Sequence, residues 1–182
     1  MSQGDGPTQT AARLLGQLDH YFREHPVTGP TEGRTPTRAT SPAPLSLVTL
    51  DHITDSVREL TDLTDTVNPE PSPLPTRAQD VYAWCVANTD HAGETTRLRR
   101  DTVIYRQYLE HALRTGDKTV IRRHRCPECR TWGLMWQAGR QLALCTNGDC
   151  VDTDGCSTTV TLARLAHEHI AGKKNLRQVS TT

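Results

Sequence analysis

Two pairs of cysteines near the C-terminal end constrain this chain more than any other feature of its sequence. Two residues separate Cys126 from Cys129, fifteen residues follow, and four residues separate Cys145 from Cys150. The turn between closely spaced cysteines aims both thiolates at one point, and four thiolates complete the tetrahedral shell of a structural zinc ion. The spacing therefore predicts one structural Zn²⁺ per chain, with these four cysteines as its ligands.

The residues around the two pairs predict the elements of a zinc ribbon. Apolar and β-branched residues favour short strands over 119–125, 131–137, 140–145 and 157–160. Ala138 and Gly139 are expected to form a tight hairpin between the second and third of these strands. Within the second cysteine pair, Asn147 and Gly148 suit a turn with left-handed backbone angles. A closing helix is predicted to begin at Thr161.

Three further side chains bear on the choice of ligands. Cys156 lies six positions after Cys150 and is the alternative fourth ligand. His124, two residues before Cys126, is a further alternative. Cys85 lies among aromatic and aliphatic residues, which favours a small buried hydrophobic side chain over a ligand.

The N-terminal part of the chain is predicted to be mainly helical. Apolar residues recur at helical spacing over 8–25, 50–67, 77–88 and 97–115. In the first helix, Leu14, Leu18 and Phe22 form one stripe, which indicates core packing or, alternatively, a segment that docks onto a protein partner. The fold class is therefore α+β, with a mainly helical N-terminal part joined by Pro-rich linkers to a small four-cysteine zinc ribbon and its closing helix.

Proline-rich stretches predict where the chain divides. Residues 26–45 contain five prolines and are expected to be a disordered linker, and 68–75 form a second, stiffer break. The predicted organisation is an amphipathic N-terminal helix (1–25), the disordered linker (26–45), a helical region (46–117), the zinc ribbon with its closing helix (118–172) and a mobile basic tail (173–182).

Charge is distributed unevenly along the chain. Residues 1–96 hold 6 Lys/Arg and 13 Asp/Glu, a net charge of −7, whereas residues 97–182 hold 15 and 8, a net charge of +7. A basic half suggests contact with an anion such as nucleic acid, and neutralisation of one half by the other is an equal alternative. Some arginines near the cysteines are also expected to offset the negative charge of four thiolates on a divalent ion. The candidate nucleic-acid contacts are Arg122, Arg123, Arg125, Arg130, Trp132, Trp136 and Arg140.

Other sequence signals indicate the setting of the protein. The N-terminal residues lack the basic and apolar regions of a signal peptide, and no apolar run approaches the roughly 20 residues that span a bilayer. We therefore expect a cytoplasmic protein with reduced thiols.

No catalytic motif is apparent, so the chain is predicted not to be an enzyme. The best candidate, a zinc deaminase, requires H-x-E before P-C-x-x-C. Here two residues separate His91 from Glu94, and the proline falls inside the first cysteine pair. Four cysteine ligands would also leave no open position on the metal.

The stretches HRCPECRTWGLMW, LALCTNGDCVDTDG and TVTLARLAHEHI resemble small zinc-ribbon proteins of actinobacteria and their phages. The resemblance implies a ribbon fold, a second cysteine pair with four intervening residues, a helix after it, and a phage or mobile-element setting. It also implies that the cytoplasm is bacterial and that the protein is associated with virions if it is phage-encoded. Two functions are compatible with these features. One is a nucleic-acid-binding accessory protein. The other is a protein-interaction module, such as an adaptor or virion component, in which zinc is purely structural and helix 8–25 docks onto a partner.

Overall fold

The structure is a computed structural model that describes residues 6–24 and 43–179 of the chain. Its helices are α1 (Pro7–Glu24), α2 (Ala43–Val67), α3 (Val81–Thr89), α4 (Glu94–Arg114), α5 (Thr119–Arg122) and α6 (Leu162–Val179), and its strands are β1 (Leu134–Gln137), β2 (Leu142–Cys145) and β3 (Thr159–Val160). They confirm the predicted mixture of a mainly helical N-terminal part and a small antiparallel sheet. The predicted linker 26–45 lies outside the described residues, apart from 43–45 where α2 begins. We call α1–α4 the helical unit and residues 119–179 the cysteine unit.

Helix α1 buries its apolar stripe inside the protein. Apolar residues recur every three or four positions along the helix and therefore share one face. Ala11, Leu15 and Leu18 are buried in the core of the helical unit, whereas Leu14 is buried in the core that contains the cysteines. Core packing therefore uses these side chains, and docking of α1 onto a partner stays a prediction that would need a different face.

The helical unit is completed by α2, α3 and α4. Its core includes Ile53 and Leu60 of α2, Val81 and Tyr82 of α3, and Ile104 of α4. The segment between α2 and α3 contains the predicted break at 68–75 and is hydrogen-bonded to α3. The indole N–H of Trp84 donates to the backbone oxygen of Ser72 at 2.8 Å, and the Ser72 amide donates to Oδ1 of Asn88 at 2.9 Å.

The cysteine unit contains a three-stranded antiparallel sheet in the order β1-β2-β3. The register places Ala143 opposite Val160, and alternate side chains along each strand point to the same face. Leu134, Ala143 and Val160 are buried and share a core with Leu165 and Ala166 of α6. The helix predicted to close the ribbon therefore covers one face of this sheet.

Helix α4 connects the two units directly. It has 21 residues and packs against both α1 and α6. Ile104 lies in the core of the helical unit, while Leu109 and Ala112 lie in the core with the cysteines. The four residues between α4 and α5 contain no proline, so no Pro-rich linker separates the two units. No helix within 6–24 and 43–179 is both long and apolar enough to cross a membrane.

The strand predicted over 119–125 is wrong, because this segment begins with the short helix α5. Oδ1 of Asp117 accepts hydrogen bonds from the amide and the hydroxyl of Thr119, at 2.9 and 2.5 Å, and holds the start of the turn. Val120 and Ile121 are then buried in the core with the cysteines. Tertiary burial and a local side-chain turn thus override the strand preference of β-branched residues.

Two other predicted boundaries also differ. The turn between β1 and β2 covers residues 138–141 rather than two residues, and Gln141 adopts a positive φ of 55°. The side-chain amide of Gln141 donates to the Ala138 oxygen at 2.7 Å, which stabilises this wider turn. Helix α6 continues to Val179, so most of the predicted mobile tail 173–182 is helical. Lysine and arginine are good helix formers and favour the C-terminal end of a helix dipole.

Substitution of Gly133 by alanine is expected to lower the free energy of unfolding by about 1–3 kcal/mol. Gly133 precedes β1, has a φ of 122°, and a Cβ there would collide with Oγ1 of Thr146. The amide and hydroxyl of Thr146 both donate to the Gly133 oxygen, at 3.1 and 2.7 Å, so the collision would disturb two hydrogen bonds. Urea unfolding of both variants measures the effect.

Gly139→Ala is the matched control for this prediction. Gly139 lies in the β1–β2 turn, lacks a positive φ, and a Cβ there would meet nothing within 4 Å. Its substitution should change the stability by no more than about 0.5 kcal/mol. Equal midpoints for the two variants would show that the backbone at Gly133 relaxes without cost.

Candidate metal centre

The structure brings the sulfurs of Cys126, Cys129, Cys145 and Cys150 within 4.8 Å of one another. The sulfurs of Cys126 and Cys150 are 3.9 Å apart, and those of Cys129 and Cys145 are 3.7 Å apart. In a tetrahedral centre with Zn–S bonds of about 2.3 Å, neighbouring sulfurs lie about 3.8 Å apart. Both separations are far longer than the roughly 2.05 Å of a disulfide. The cluster is therefore compatible with a metal-binding site.

The first cysteine pair is shaped by a tight backbone turn. The Arg130 amide donates to the Cys126 oxygen at 2.9 Å, and the Cys126 amide donates to the Thr131 oxygen at 2.9 Å. Arg130 adopts a left-handed conformation with φ of 60°, which lets the chain reverse immediately after Cys129. An isolated β-bridge between Arg125 and Trp132 then closes the loop.

The second cysteine pair uses side-chain hydrogen bonds rather than the predicted left-handed angles. Neither Asn147 nor Gly148 has a positive φ. Instead, Oδ1 of Asn147 accepts from the Asp149 amide at 3.2 Å, and its backbone oxygen accepts from the Cys150 amide at 3.0 Å. An Asx turn of this kind reverses the chain without left-handed residues. The prediction named the right residues for the turn but the wrong backbone geometry.

Neighbouring threonines hold the cysteines in place. The Cys145 amide donates to the Thr158 oxygen at 2.9 Å, and the Thr158 amide donates to the Cys150 oxygen at 3.0 Å. The hydroxyl of Thr158 lies 3.4 Å from the sulfur of Cys150, and that of Thr131 lies 2.9 Å from the sulfur of Cys129. The sequence analysis missed both threonines. Thr131 lies two residues after Cys129, and Thr158 directly precedes β3.

The thiols of Cys129 and Cys145 differ in acidity. Hydrogen bonds from the hydroxyl and amide of Thr131 lower the pKa of Cys129 to about 6. Burial raises the pKa of Cys145 to about 12. A metal binds thiolates, so loading the centre releases protons and its affinity must fall as the pH is lowered.

The alternative ligands lie elsewhere. Cys156 is exposed and Cys85 is buried in the helical unit, and neither joins the cluster. His124 is buried with Nδ1 2.9 Å from the Val120 oxygen and Nε2 3.0 Å from the Tyr105 hydroxyl. Both ring nitrogens of His124 are thus already hydrogen-bonded.

The predicted nucleic-acid contacts differ in their surroundings. Arg130 pairs with Glu168 of α6 at 3.4 Å, Trp136 is half-buried, and Arg140 lies in the β1–β2 turn. The guanidinium of Arg125 lies 4.9 Å from the ring centre of Trp132, which is 58% exposed. Among the described residues, no arginine donates a hydrogen bond to a cysteine sulfur. Direct hydrogen bonds from arginine to the thiolates are therefore not found there, and the expected offset of their charge stays a prediction.

Two ion pairs connect the first cysteine pair to α6. Besides Arg130 and Glu168, Glu128 pairs with Arg164 at 2.6 Å. All four residues are at least partly exposed, so each pair contributes at most about 1 kcal/mol. These pairs orient the loop around the first cysteine pair relative to α6 but add little to the free energy of unfolding.

The centre is a closed set of four sulfur donors. A tetrahedral ion bound by all four would have no open coordination position, which is the arrangement of structural metal sites. Four sulfurs in a tetrahedron suit zinc or iron rather than magnesium or calcium. No protein-family model, curated protein or solved structure matches this chain.

Proposed function

We propose that this protein is a nucleic-acid-binding accessory protein whose basic and aromatic surface is held in place by a structural zinc ribbon. The observation that carries the proposal is the exposed ring of Trp132 beneath Arg125, in a segment that also contains two exposed arginines that form no ion pair with a described residue. When bound, zinc supplies a covalent link between the two cysteine pairs. The binding itself belongs to the side chains around Trp132.

Zinc is the ion proposed for the four sulfurs. Their spacing matches a tetrahedral zinc centre, and three of the four cysteines are buried in the core of the cysteine unit. The segment from α5 to β1 carries Trp132 and emerges directly from this centre. A metal at the cysteines would therefore fix the position of that surface.

The surface consists of Arg122, Arg123, Arg125 and Trp132, and we call it the Trp132 surface. Arg122 and Arg123 are exposed, and neither forms an ion pair within the part of the chain that is described. Hydrogen bonds from Thr119 and, after them, the charge of Arg123 do help to lower the pKa of Asp117. Exposed arginines that are not held in an ion pair are available to phosphates, and an exposed indole offers a face to an unpaired base. Arg125 over the ring keeps the indole oriented by a cation–π contact.

A single-stranded oligonucleotide is expected to bind with a salt-dependent affinity. If the three arginines neutralise three phosphates, the affinity should fall roughly 20-fold between 50 and 200 mM salt. Replacing Arg122 and Arg123 by alanine together leaves one phosphate contact, which reduces that change to roughly threefold. Fluorescence anisotropy with a labelled oligonucleotide at several salt concentrations measures both slopes.

Two further variants separate stacking from charge. Trp132→Ala removes no charge, so it should weaken binding by about 1–3 kcal/mol at every salt concentration while leaving the slope unchanged. Arg140→Ala removes an exposed arginine at the far end of β1 and should alter neither quantity. A salt-independent affinity, or an equal loss in Arg140→Ala and in the double variant, would refute the Trp132 surface.

A further inference from the structure

A cleft of about 710 Å³ lies between the helical unit and the cysteine unit. Its walls come from α2 and α4 on one side and from β1, the β1–β2 turn and the start of α6 on the other. This volume falls within the range of about 300–1,000 Å³ that is typical of small-molecule sites. The Trp132 surface contributes no residue to it.

A chain of buried hydrogen bonds leads to one wall of this cleft. The side-chain amide of Gln107 donates to the Ser56 oxygen at 3.2 Å and to Glu59 at 2.8 Å, so both of its hydrogens are used. Oε1 of Gln107 must therefore accept the hydrogen bond from the hydroxyl of Tyr82 at 2.9 Å. The single hydroxyl hydrogen of Tyr82 is used in this bond, so the Tyr82 oxygen can only accept a hydrogen bond from His111.

The next two bonds determine the tautomers of two histidines. Nε2 of His111 lies 2.6 Å from the Tyr82 oxygen and must donate, so Nδ1 of His111 is unprotonated. That nitrogen accepts from Nε2 of His52 at 2.8 Å, which leaves Nδ1 of His52 as an unprotonated acceptor. Burial, followed by the charge of Arg114, lowers the pKa of His52 to about 4 and keeps its ring neutral.

His52 therefore presents an unused acceptor to the cleft. The residue lines the cleft and is only 8% exposed. Its Nδ1 has no hydrogen-bond partner within 6–24 and 43–179. Glu59, beside it on the same wall, adds further acceptor oxygens. This nitrogen is open to the cleft rather than sealed from solvent, so a ligand that brings an N–H group can donate to it there.

The same wall also carries an available positive charge. Arg106 is held between Glu59 and Glu110, with 2.6 Å to Glu110. Arg114 lies two turns further along α4, lines the cleft, and forms no ion pair with any described residue. Trp136 of β1 contributes an aromatic surface from the cysteine unit. Three carboxylates also line the cleft, but Glu59 and Glu110 pair with Arg106 and Asp55 pairs with Arg58 at 3.3 Å. The cleft thus combines an acceptor, an aromatic ring and one arginine, Arg114, that is left for an anion.

We propose that this cleft binds a nucleoside monophosphate. The base donates an N–H hydrogen bond to Nδ1 of His52 and packs against Trp136, while the phosphate pairs with Arg114. A ligand without a ring would make no contact with Trp136, and one without an N–H donor would make no hydrogen bond to His52. Only a ligand that has a base as well as a phosphate uses all three features of the lining.

The test is calorimetric titration of the full chain with adenosine, guanosine, cytidine and uridine monophosphates and, separately, with inorganic phosphate. At least one nucleotide is expected to bind in one-to-one ratio and more tightly than phosphate. Arg114→Ala should weaken that binding about tenfold or more, because a charge-assisted contact is lost. Arg13→Ala, which removes an exposed arginine of α1 outside the cleft, should leave it unchanged.

Three results would overturn the proposal. They are the absence of saturable binding by all four nucleotides, equal affinity for inorganic phosphate, and unchanged affinity in Arg114→Ala. The combined Arg122→Ala and Arg123→Ala variant distinguishes this site from the Trp132 surface. This variant should retain nucleotide binding. If it lost that binding, the nucleotide would bind at the Trp132 surface, and the proposed cleft site would be refuted.

Nitrogen-15 NMR of the histidines tests the role of His52 without a substitution. The Nδ1 signal of His52 is expected to be that of an unprotonated nitrogen, and to shift when the nucleotide donates to it. The signal of exposed His167 serves as the internal control. A His52 signal that does not move while the nucleotide saturates the protein would contradict the assigned contact.

Discussion

Replacement of Cys145 by alanine is expected to abolish metal binding and to unfold the sheet of the cysteine unit. Cys145 ends β2, is only 2% exposed, and its sulfur lies 3.7 Å from that of Cys129. The binding free energy of structural zinc in small domains is on the order of 10–16 kcal/mol, so this is the largest effect we expect. Elemental analysis by mass spectrometry gives the zinc content per chain, and circular dichroism reports the fold.

Cys156→Ala is the matched control, because it removes an exposed thiol that lies outside the cluster. It should leave the zinc content at one per chain and the fold unchanged. If Cys156→Ala lost the metal and Cys150→Ala kept it, the fourth ligand would be Cys156. Iron in place of zinc in the purified protein would refute the identity of the ion but not the four-sulfur site.

The sheet depends on the centre because it is small. Its strands have four, four and two residues, and a sheet of this size needs packing or a metal to be stable. Cys126, Cys145 and Cys150 belong to the same core as Leu134 and Leu165. Loss of the metal would therefore destabilise that core itself, and its effect would not be limited to a peripheral loop.

Replacement of His111 by alanine is expected to lower the free energy of unfolding by about 3–5 kcal/mol. The side chain is fully buried, so its removal leaves a cavity in the packed interior of α2, α3 and α4. It also leaves Nε2 of His52 and a lone pair of Tyr82 without partners. Urea unfolding measures the loss, and His167→Ala, at an exposed position of α6, is the control within about 0.5 kcal/mol.

The same histidine should make stability depend on pH. Burial, and next the charge of His52, lowers the pKa of His111 from 6.5 to about 3. Below pH 6.5 the unfolded chain therefore binds a proton that the folded chain does not, so stability falls as the pH drops from 6.5 towards 3. Loss of a bound metal at low pH acts in the same direction, because the metal binds thiolates. The histidine contribution is thus the difference in slope between the wild type and His111→Ala, and identical slopes would contradict it.

The local patterns of the sequence were sufficient to predict most elements. Helical spacing of apolar residues located α1 to α4, since a helix that packs on a core must repeat every three to four residues. Runs of apolar and β-branched residues located β1, β2 and β3 to within a few residues. The segment 119–125 was misassigned because its β-branched residues favour a strand locally, whereas Asp117 and the burial of Val120 and Ile121 favour a helical turn.

The network of buried polar groups could not be predicted in this way. His52, Tyr82, Gln107 and His111 are separated by up to 59 residues, and no spacing rule relates them. The same holds for the cleft, whose walls come from both units. Which arginines form ion pairs could not be predicted either, because Arg130 pairs with Glu168, 38 residues further along the chain.

The spacing of Cys126, Cys129, Cys145 and Cys150 by itself determined which thiols could share one ion, because the reach of a turn and a hairpin is set by the number of residues they contain. Only the tertiary structure decided the rest. It left Cys156 exposed outside the cluster, and it seated the cysteines in a core shared with α1, α4 and α6. It also left the side chains of the Trp132 surface exposed, whereas Arg130 forms an ion pair with Glu168. Such outcomes depend on which distant helices pack against the cysteine unit, and local spacing carries no information about that packing.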